Sequence, residues 1–368
     1  MTGKDKILNE GLIACKKHNY NCVVILPTGS GKGRLMIEIA KLLKPKSILY
    51  LCNTQLLRDK MFIDELHKWD AAYLLPIIDR QCYQTAFKYK DKHYDLVLAD
   101  EFDAALTTEY IKVFQNNTFT YKILVSATLD DDKKYKARKI APIAYERHQK
   151  ELIQENVLNN IQFHFVNFDL NDRETHQYLE YNKRFQVLLN REQTAHTRFE
   201  LERLQIQRKQ FLSSLATSRT VTRWLLSVLD KKFNEKVLVF CGLSEQADAV
   251  CKHSYHSIND NNAALQAFER GEIKQLSVVD KLTRGVNISD IRHIIMESTG
   301  KSKTKITQKI GRGLRLLAHE VLNVFFLIPH FKHPIHGKKP TIVKDWIDQS
   351  TKEMDLTKCI TINYVNPQ

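Results

Sequence analysis

Two short stretches of the 368-residue sequence carry groups that could handle phosphate chemistry. In PTGSGKG (Pro27, Thr28, Gly29, Ser30, Gly31, Lys32 and Gly33), glycines let the backbone turn so that successive N–H groups face an anion, and Lys32 adds a positive charge suited to β- and γ-phosphates. RLMIEIAKLL follows at helical apolar spacing, so a helix N-terminus would complete the cradle. The strict GxxxxGK[ST] pattern fails twice: Leu26 stands at its first glycine, and Gly33 replaces the Ser or Thr that would ligate Mg²⁺. An incidental Gly-rich turn is the competing reading. In DLVLADEFD (Asp95 to Asp103), an apolar strand delivers Asp100 and Glu101 at its C-terminal end, where α/β sheets place ligands. One carboxylate can hold a Mg²⁺ shell while its neighbour polarises an attacking water, as nucleotide hydrolysis requires. In isolation the same stretch would read as a solvated acidic turn.

The elements that must position these groups follow from the apolar pattern. Strand-length runs at Val23 to Leu26, Ile48 to Cys52, Tyr73 to Ile78, Asp95 to Ala99 and Lys122 to Val125 alternate with polar segments that have room for helices, which predicts a parallel α/β sheet. The charged stretch LDDDKKYKARK then reads as a connector, with a hinge near residues 130 to 150, and Ile161 to Phe168 alternates as a half-buried strand would. Residues 170 to 232 read as long helices, with Leu201, Leu204, Phe211, Leu215, Trp224, Leu225 and Val228 as their core stripe. Strands resume at Val237 to Cys241, Leu276 to Val279, His293 to Met296 and Val324 to Ile328, so a second α/β domain follows. The expected division is 1–143 and 144–368, with the helical segment inside the second domain.

Composition narrows the class. Hydrophobic residues at 43% and charged residues at 27% exclude a disordered chain, and no apolar run is long enough for a membrane span. The charged N-terminus does not resemble a signal peptide, so a soluble, cytoplasmic protein is expected. The seven cysteines show neither CxxC nor repeated spacing, which predicts reduced thiols; Cys251, His253 and His256 are close together, but a helix-to-loop step explains them better than zinc. A formal charge of +14 argues for a polyanionic partner, because cationic surface displaces counterions condensed on nucleic acid.

Taken together, these motifs resemble those of superfamily 2 helicases: PTGSGK as motif I and DEFD as motif II. Ser126 to Thr128 (SAT) is similar to motif III, VLVFCGLSEQADAV (237–250) to motif IV, LTRGVNISDI (282–291) to motif V and QKIGRGLR (308–315) to motif VI. The helical stretch ahead of motif IV and the GRGLR form look most like compact helicases of bacteriophages, which would act in a host cytoplasm. The resemblance implies two tandem RecA-like parallel-sheet domains facing a cleft, with ATP and Mg²⁺ as cofactors and a nucleic-acid strand as partner, DNA preferred and RNA the alternative. It implies a monomer that does not act at membranes. It also implies that the loop glycines and Lys32 bind phosphates, that Asp100 organises Mg²⁺, that Glu101 activates water, and that Arg312 and Arg315 are arginine fingers with Gln308 beside them. Ser126 and Thr128 would couple the nucleotide state to nucleic acid, which Thr54, Gln55, Ser244, Thr283 and Arg284 would touch at its phosphates.

The sequence departs from the family pattern at Gly33, at Asn287 in place of the usual motif V Asp, and at Lys309 in place of the first motif VI Arg. No clear adenine-reading Gln motif precedes the loop. A degenerate nucleotide-dependent clamp is therefore a rival to an active motor, although Lys32, Asp100, Glu101, Arg312 and Arg315 are all intact. The segment HFKHPIHGKKP (330–340) reads equally as a nucleic-acid contact or a solvated extension.

Overall fold

The computed structural model describes residues 2–55, 57–258, 262–279, 288, 290–300, 303–311, 313, 320–351 and 359–365, without the side chains of 303–305 and 308. The described chain forms two compact units that divide mainly between Asn160 and Ile161.

The first unit is a six-stranded sheet. Its strands are β1 (Asn21–Ile25), β2 (Ile48–Cys52), β3 (Ile78–Cys82), β4 (His93–Ala99), β5 (Thr118–Ser126) and β6 (Ile143–Glu146), in the order β3-β2-β4-β5-β1-β6 and all parallel. Every residue of β2 is buried, as expected of a parallel strand covered on both faces. Helices α1 (Gly3–Lys17), α2 (Lys32–Leu43), α3 (Phe62–Lys68), α4 (Tyr83–Ala86), α5 (Lys112–Gln115), α6 (Asp131–Arg138) and α7 (Gln149–Gln154) complete it. Thr2 and Asp5 form a capping box that starts α1, and α2 buries Leu35, Met36, Ile37, Ile39 and Ala40.

Two sequence expectations are corrected here. The run Tyr73 to Ile78 is a 3₁₀ turn over Ala72–Ile77, because Pro76 lacks the N–H a ladder needs, and the strand lies just beyond it as β3. The compact units divide at 160/161 rather than at the expected 143/144, and residues 130 to 150 belong to the first unit. β6 pairs with β1 (Val23↔Ile143, Ile25↔Glu146), and Arg147 ion-pairs with Glu10, Glu151 and Glu155, tying α1 to α7.

The second unit contains an eight-stranded sheet in the order β14-β7-β12-β11-β8-β10-β9, with β13 beside β12. The strands are β7 (Asn160–Asp169), β8 (Lys236–Phe240), β9 (Ser254–Tyr255), β10 (Gln275–Val278), β11 (Ile291–Met296), β12 (Val321–His333), β13 (Gly337–Pro340) and β14 (Ile360–Asn363). The run β12-β11-β8-β10-β9 is parallel, whereas β12 and β13 make an antiparallel hairpin. The expected helical segment is three helices, α8 (Asp172–Leu189), α9 (Ala195–Leu212) and α10 (Ala216–Phe233), followed by α11 (Ser244–Val250), α12 (Asn262–Arg270), α13 (Lys303–Gly311) and α14 (Ile342–Ser350). Leu201, Leu204, Leu215 and Leu225 are core as expected, but Val228 is exposed.

A buried carboxyl joins the elements at the C-terminal rim of this sheet. Glu297, directly after β11, is buried; its Oε1 accepts hydrogen bonds from Ser218 Oγ of α10 (3.0 Å) and Gln246 Nε2 of α11 (3.0 Å). Burial pushes this carboxyl up to about 7, while Ser218, Gln246, the Gly242 N–H and the Lys309 charge act in the opposite direction. Because the native state binds this proton more tightly than the unfolded chain, the stabilisation it gives is complete below the ordinary carboxylate range and is lost as pH rises through about 7. Glu297→Gln keeps the accepting oxygen and removes the titration. In denaturant unfolding, the stability difference between variant and wild type should therefore grow by up to about 3 kcal/mol in the variant's favour from pH 4.5 to pH 7.5. A difference that does not change with pH would contradict this.

Candidate nucleotide site and its comparisons

Parallel pairing brings four strand ends of the first unit to one rim. Ile25 of β1 lies beside Ser126 of β5, Leu124 of β5 beside Ala99 of β4, and Leu51 of β2 beside Ala99. The phosphate-loop residues, Asp100 and Glu101, Ser126, and Thr54 with Gln55 therefore all leave the sheet on the side where α/β proteins bind ligands.

The loop has the conformation a phosphate cradle requires. Gly29 (φ +86°) and Gly31 (φ +102°) occupy the left-handed region, and Gly31 caps α2. A Cβ on Gly31 would meet nothing within 4 Å, so backbone conformation rather than space selects glycine there. Ser30 is buried, and its Oγ donates to the Pro27 carbonyl (2.6 Å), closing the turn from within. Lys32 Nζ donates to the carbonyl oxygens of Leu26 (2.9 Å) and Pro27 (3.2 Å), which holds its ammonium over the loop. Gly33 is different: its φ is not positive, and a Cβ there would make an ordinary contact of 3.6 Å with Glu65 Oε2. Neither backbone nor packing demands its glycine.

At the end of β4, Asp100 is fixed by its backbone. Its N–H donates to Leu51 O (2.8 Å), its carbonyl accepts from Tyr83 OH (2.9 Å), and its Oδ1 accepts from the Glu101 N–H (2.8 Å). Burial and the charges of Asp100 and its neighbours hold the Tyr83 hydroxyl well above its usual pKa, so it remains a donor. Glu101 is in the left-handed region (φ +50°), which is rare for a residue with a long side chain and costs on the order of 1–3 kcal/mol.

Asp103, which sequence reasoning left out of the site, is 5% exposed and links motifs II and III. Ser126 Oγ donates to its Oδ1 (3.3 Å) and also approaches the Thr128 carbonyl (3.1 Å), while Lys133 lies 3.7 Å from its Oδ2. The signal was available, since Asp103 is the last letter of DEFD. Thr128 buries its Oγ1 with no hydrogen-bond partner among the described residues. Thr54 starts the turn after β2, accepting from Leu57 N–H at its Oγ1 and from Arg58 N–H at its carbonyl, and Gln55 is exposed.

In the second unit, Ser244 begins α11 at the C-terminal end of β8, and Gln308 lies on α13. Thr283, Arg284, Asn287, Arg312 and Arg315 lie outside the described residues, as does the side chain of Gln308. Lys309 is buried with its Nζ 5.1 Å from the Phe240 ring centroid, so this substitution points a cation into the domain core. Of Cys251, His253 and His256, His256 is buried and bonded to Asp248 (2.8 Å), and no metal-holding cluster occurs among the described residues. No described helix is long and apolar enough to cross a membrane.

The loop geometry makes a sharp contrast testable. Gly31→Ala should weaken nucleotide binding about five- to thirtyfold, because alanine resists a left-handed φ by about 1–2 kcal/mol, whereas Gly33→Ala should leave binding within about twofold. Titration with a fluorescent ATP analogue distinguishes the two; equal effects would refute the backbone explanation.

Comparisons with known proteins agree with this arrangement. Residues 4–74 match the family described as type III restriction enzyme, res subunit, and residues 220–316 match the helicase conserved C-terminal domain. A relative from Sulfurisphaera tokodaii, the DNA 3'-5' translocase XPB2, is 22% identical over 335 residues, covering 82% of this chain and 76% of that protein. Among solved structures, the Hef helicase domain of Pyrococcus furiosus aligns with TM-score 0.56 at 15% identity over 95% of this chain and 99% of its own. The type ISP restriction-modification enzyme LlaBIII bound to DNA aligns with TM-score 0.65 at 14% identity, over 99% of this chain and 31% of its own. Saccharomyces cerevisiae Dbp5 bound to RNA and ADP BeF3 gives 0.60 at 13% identity, over 97% of this chain and 89% of its own. Two parallel-sheet α/β units, the first matched in part by the res-subunit model and the second by the helicase C-terminal model, together with the similarity to a DNA translocase, mark this chain as an ATP-dependent nucleic-acid helicase or translocase similar to those of superfamily 2.

Proposed function

We propose that the chain is a DNA-directed motor in which Lys32 and the loop backbone hold the nucleotide phosphates, Asp100 holds Mg²⁺ and Glu101 activates the attacking water. The observation that carries this reading is the convergence at one rim of a left-handed glycine loop, the Asp100–Glu101 pair and the Ser126–Asp103 bond. DNA is favoured over RNA by the described activity of the Sulfurisphaera tokodaii relative, and the +14 charge suits any polyanionic strand. The helical segment and the GRGLR form support membership of the compact phage-type group.

The residues fit Mg²⁺. Asp100 offers hard carboxylate oxygen at a strand end fixed by three backbone contacts, and the open side of Gly33 leaves space that a hydroxyl would take in the strict motif. Bound there, Mg²⁺ supplies charge neutralisation to the phosphate oxygens. Lys32 adds a second positive charge, Glu101 accepts the proton of the attacking water, and Arg312 and Arg315, with Gln308, neutralise charge on the transferring phosphoryl. Ser126 and Thr128 pass the state of the Asp103 turn to the nucleic-acid loops, where Thr54, Gln55, Ser244, Thr283 and Arg284 contact phosphates.

Steady-state turnover with DNA tests the central assignment. Lys32→Ala should weaken ATP binding, whereas Glu101→Gln should retain it and lower kcat by about 100-fold or more, since only the water-activating group is removed. ATPase near the wild-type rate in Glu101→Gln would sink the assignment, and ATP binding without turnover in the wild type would favour the clamp.

The vacancy of a side chain at position 33 gives a separate test. Gly33→Thr restores a hydroxyl at a site where a Cβ is tolerated, so the Mg²⁺ concentration for half-maximal ATPase should fall, and Mg²⁺-dependent tightening of ATP binding should appear at lower metal. If both stay unchanged in a folded variant, the missing-ligand account is wrong.

A further inference from the structure

The basic segment that the sequence left undecided is the β12–β13 hairpin, and its construction points to a strand-binding element. β12 pairs with β11 as far as Met296↔Phe326 and then runs on to His333, which at about 3.3 Å per residue is on the order of 20 Å of further strand. Since β12 is parallel to β11, and β11 to β8, this extension leaves the sheet on the same rim as Ser244 and the lead into α13. β7 accompanies it only to the Leu170 N–H bond with the His330 carbonyl. Beyond that the hairpin stands out: Lys332 and every residue of 334–340 are exposed.

Its side chains are unusual for a hairpin stabilised only by its own contacts. Lys332 faces Lys338 directly across the strands, and Phe331 faces Lys339. Like charges opposite one another destabilise a ladder. Lys338 ion-pairs with Asp169 (2.7 Å), but neither Lys332 nor Lys339 has an acidic partner among the described residues, and no Asp or Glu occurs between Glu320 and Asp345. The tip presents two stacked imidazole rings beside an exposed isoleucine. His333 Nδ1 accepts from the N–H groups of Ile335 (3.1 Å) and His336 (3.2 Å), which fixes the ring as a neutral imidazole. His336 stacks on it with ring centroids 4.7 Å apart, and Ile335 is 82% exposed.

We infer that this hairpin binds single-stranded DNA, with Lys332 and Lys339 on phosphates and the Ile335–His336 tip against exposed bases. Stem lysines with no acidic partner match a polyanionic backbone, and stacked rings at the tip match base faces that a duplex keeps stacked. The inference rests on the DNA-directed reading above and adds a contact surface that none of the helicase motifs supplies.

The test uses the full chain and fluorescence anisotropy with labelled oligo-dT and with a blunt duplex, over a salt series. Lys332→Gln with Lys339→Gln should weaken oligo-dT binding about tenfold and reduce the log-log salt slope by about 1.4, two phosphates at about 0.7 each. Ile335→Ser with His336→Ala should weaken oligo-dT binding about fivefold and leave duplex binding unchanged. ATPase without DNA should match wild type in both, because the hairpin carries no nucleotide-site residue. Unchanged affinity and slope in the lysine variant would overturn the hairpin's role while leaving the motor reading intact. Equal losses on both DNA forms in the tip variant would overturn its base contact. A wild-type chain that binds no DNA would overturn both the hairpin inference and the DNA-directed reading.

Discussion

Everything at the nucleotide site depends on the parallel ladder β1–β5–β4. Its register sets Ile25 beside Ser126 and Leu124 beside Ala99, so the phosphate loop and the acidic pair leave the sheet at the same height with motif III between them. The ladder is rigid because its central residues, Val23, Val24, Ile123, Leu124, Val97 and Leu98, are almost fully buried. A slip of one residue would turn these side chains to the opposite faces and separate the carboxylates from the loop. The Ser126–Asp103 bond is a consequence of that register and ties the acidic turn to the neighbouring strand.

The second unit uses a different anchor for the same purpose. Glu297 draws together α10, α11 and the start of the segment leading to α13, which carries motif VI. Gly242 allows this closeness, since a Cβ there would fall 2.5 Å from Ser213 Oγ and 2.6 Å from Ser298 Oγ, themselves hydrogen-bonded at 2.8 Å. A buried polar cluster of this kind fixes one arrangement of its helices more firmly than apolar contact alone, at the cost of burying a carboxyl.

What was legible in the sequence was whatever repeats with a period or carries a fixed chemical spacing. β2 matched residue for residue, Gly29 and Gly31 take the left-handed conformation that glycine adopts freely, and Asp100 and Glu101 directly follow β4. The losses have physical causes. β6 is four half-buried residues, held by pairing with β1 and by the Arg147 ion pairs, both of which are long-range and invisible to local patterning. Tyr73 to Ile78 was apolar enough for a strand, yet one proline decided otherwise. The hairpin at 330–340 has too few apolar residues to announce a strand, since its stem beyond Phe331 is lysine-rich and exposed. Asp103 was hidden in plain view, because its role comes from Ser126 on another strand.

The left-handed backbone of Glu101 has an implication for how this chain could change over generations. Glycine or asparagine would sit at φ +50° with less backbone strain, so the main chain here favours residues that lack the carboxylate. The backbone at residue 101 therefore works against the side chain that stands there, so stability selected for its own sake would favour a different residue at this turn.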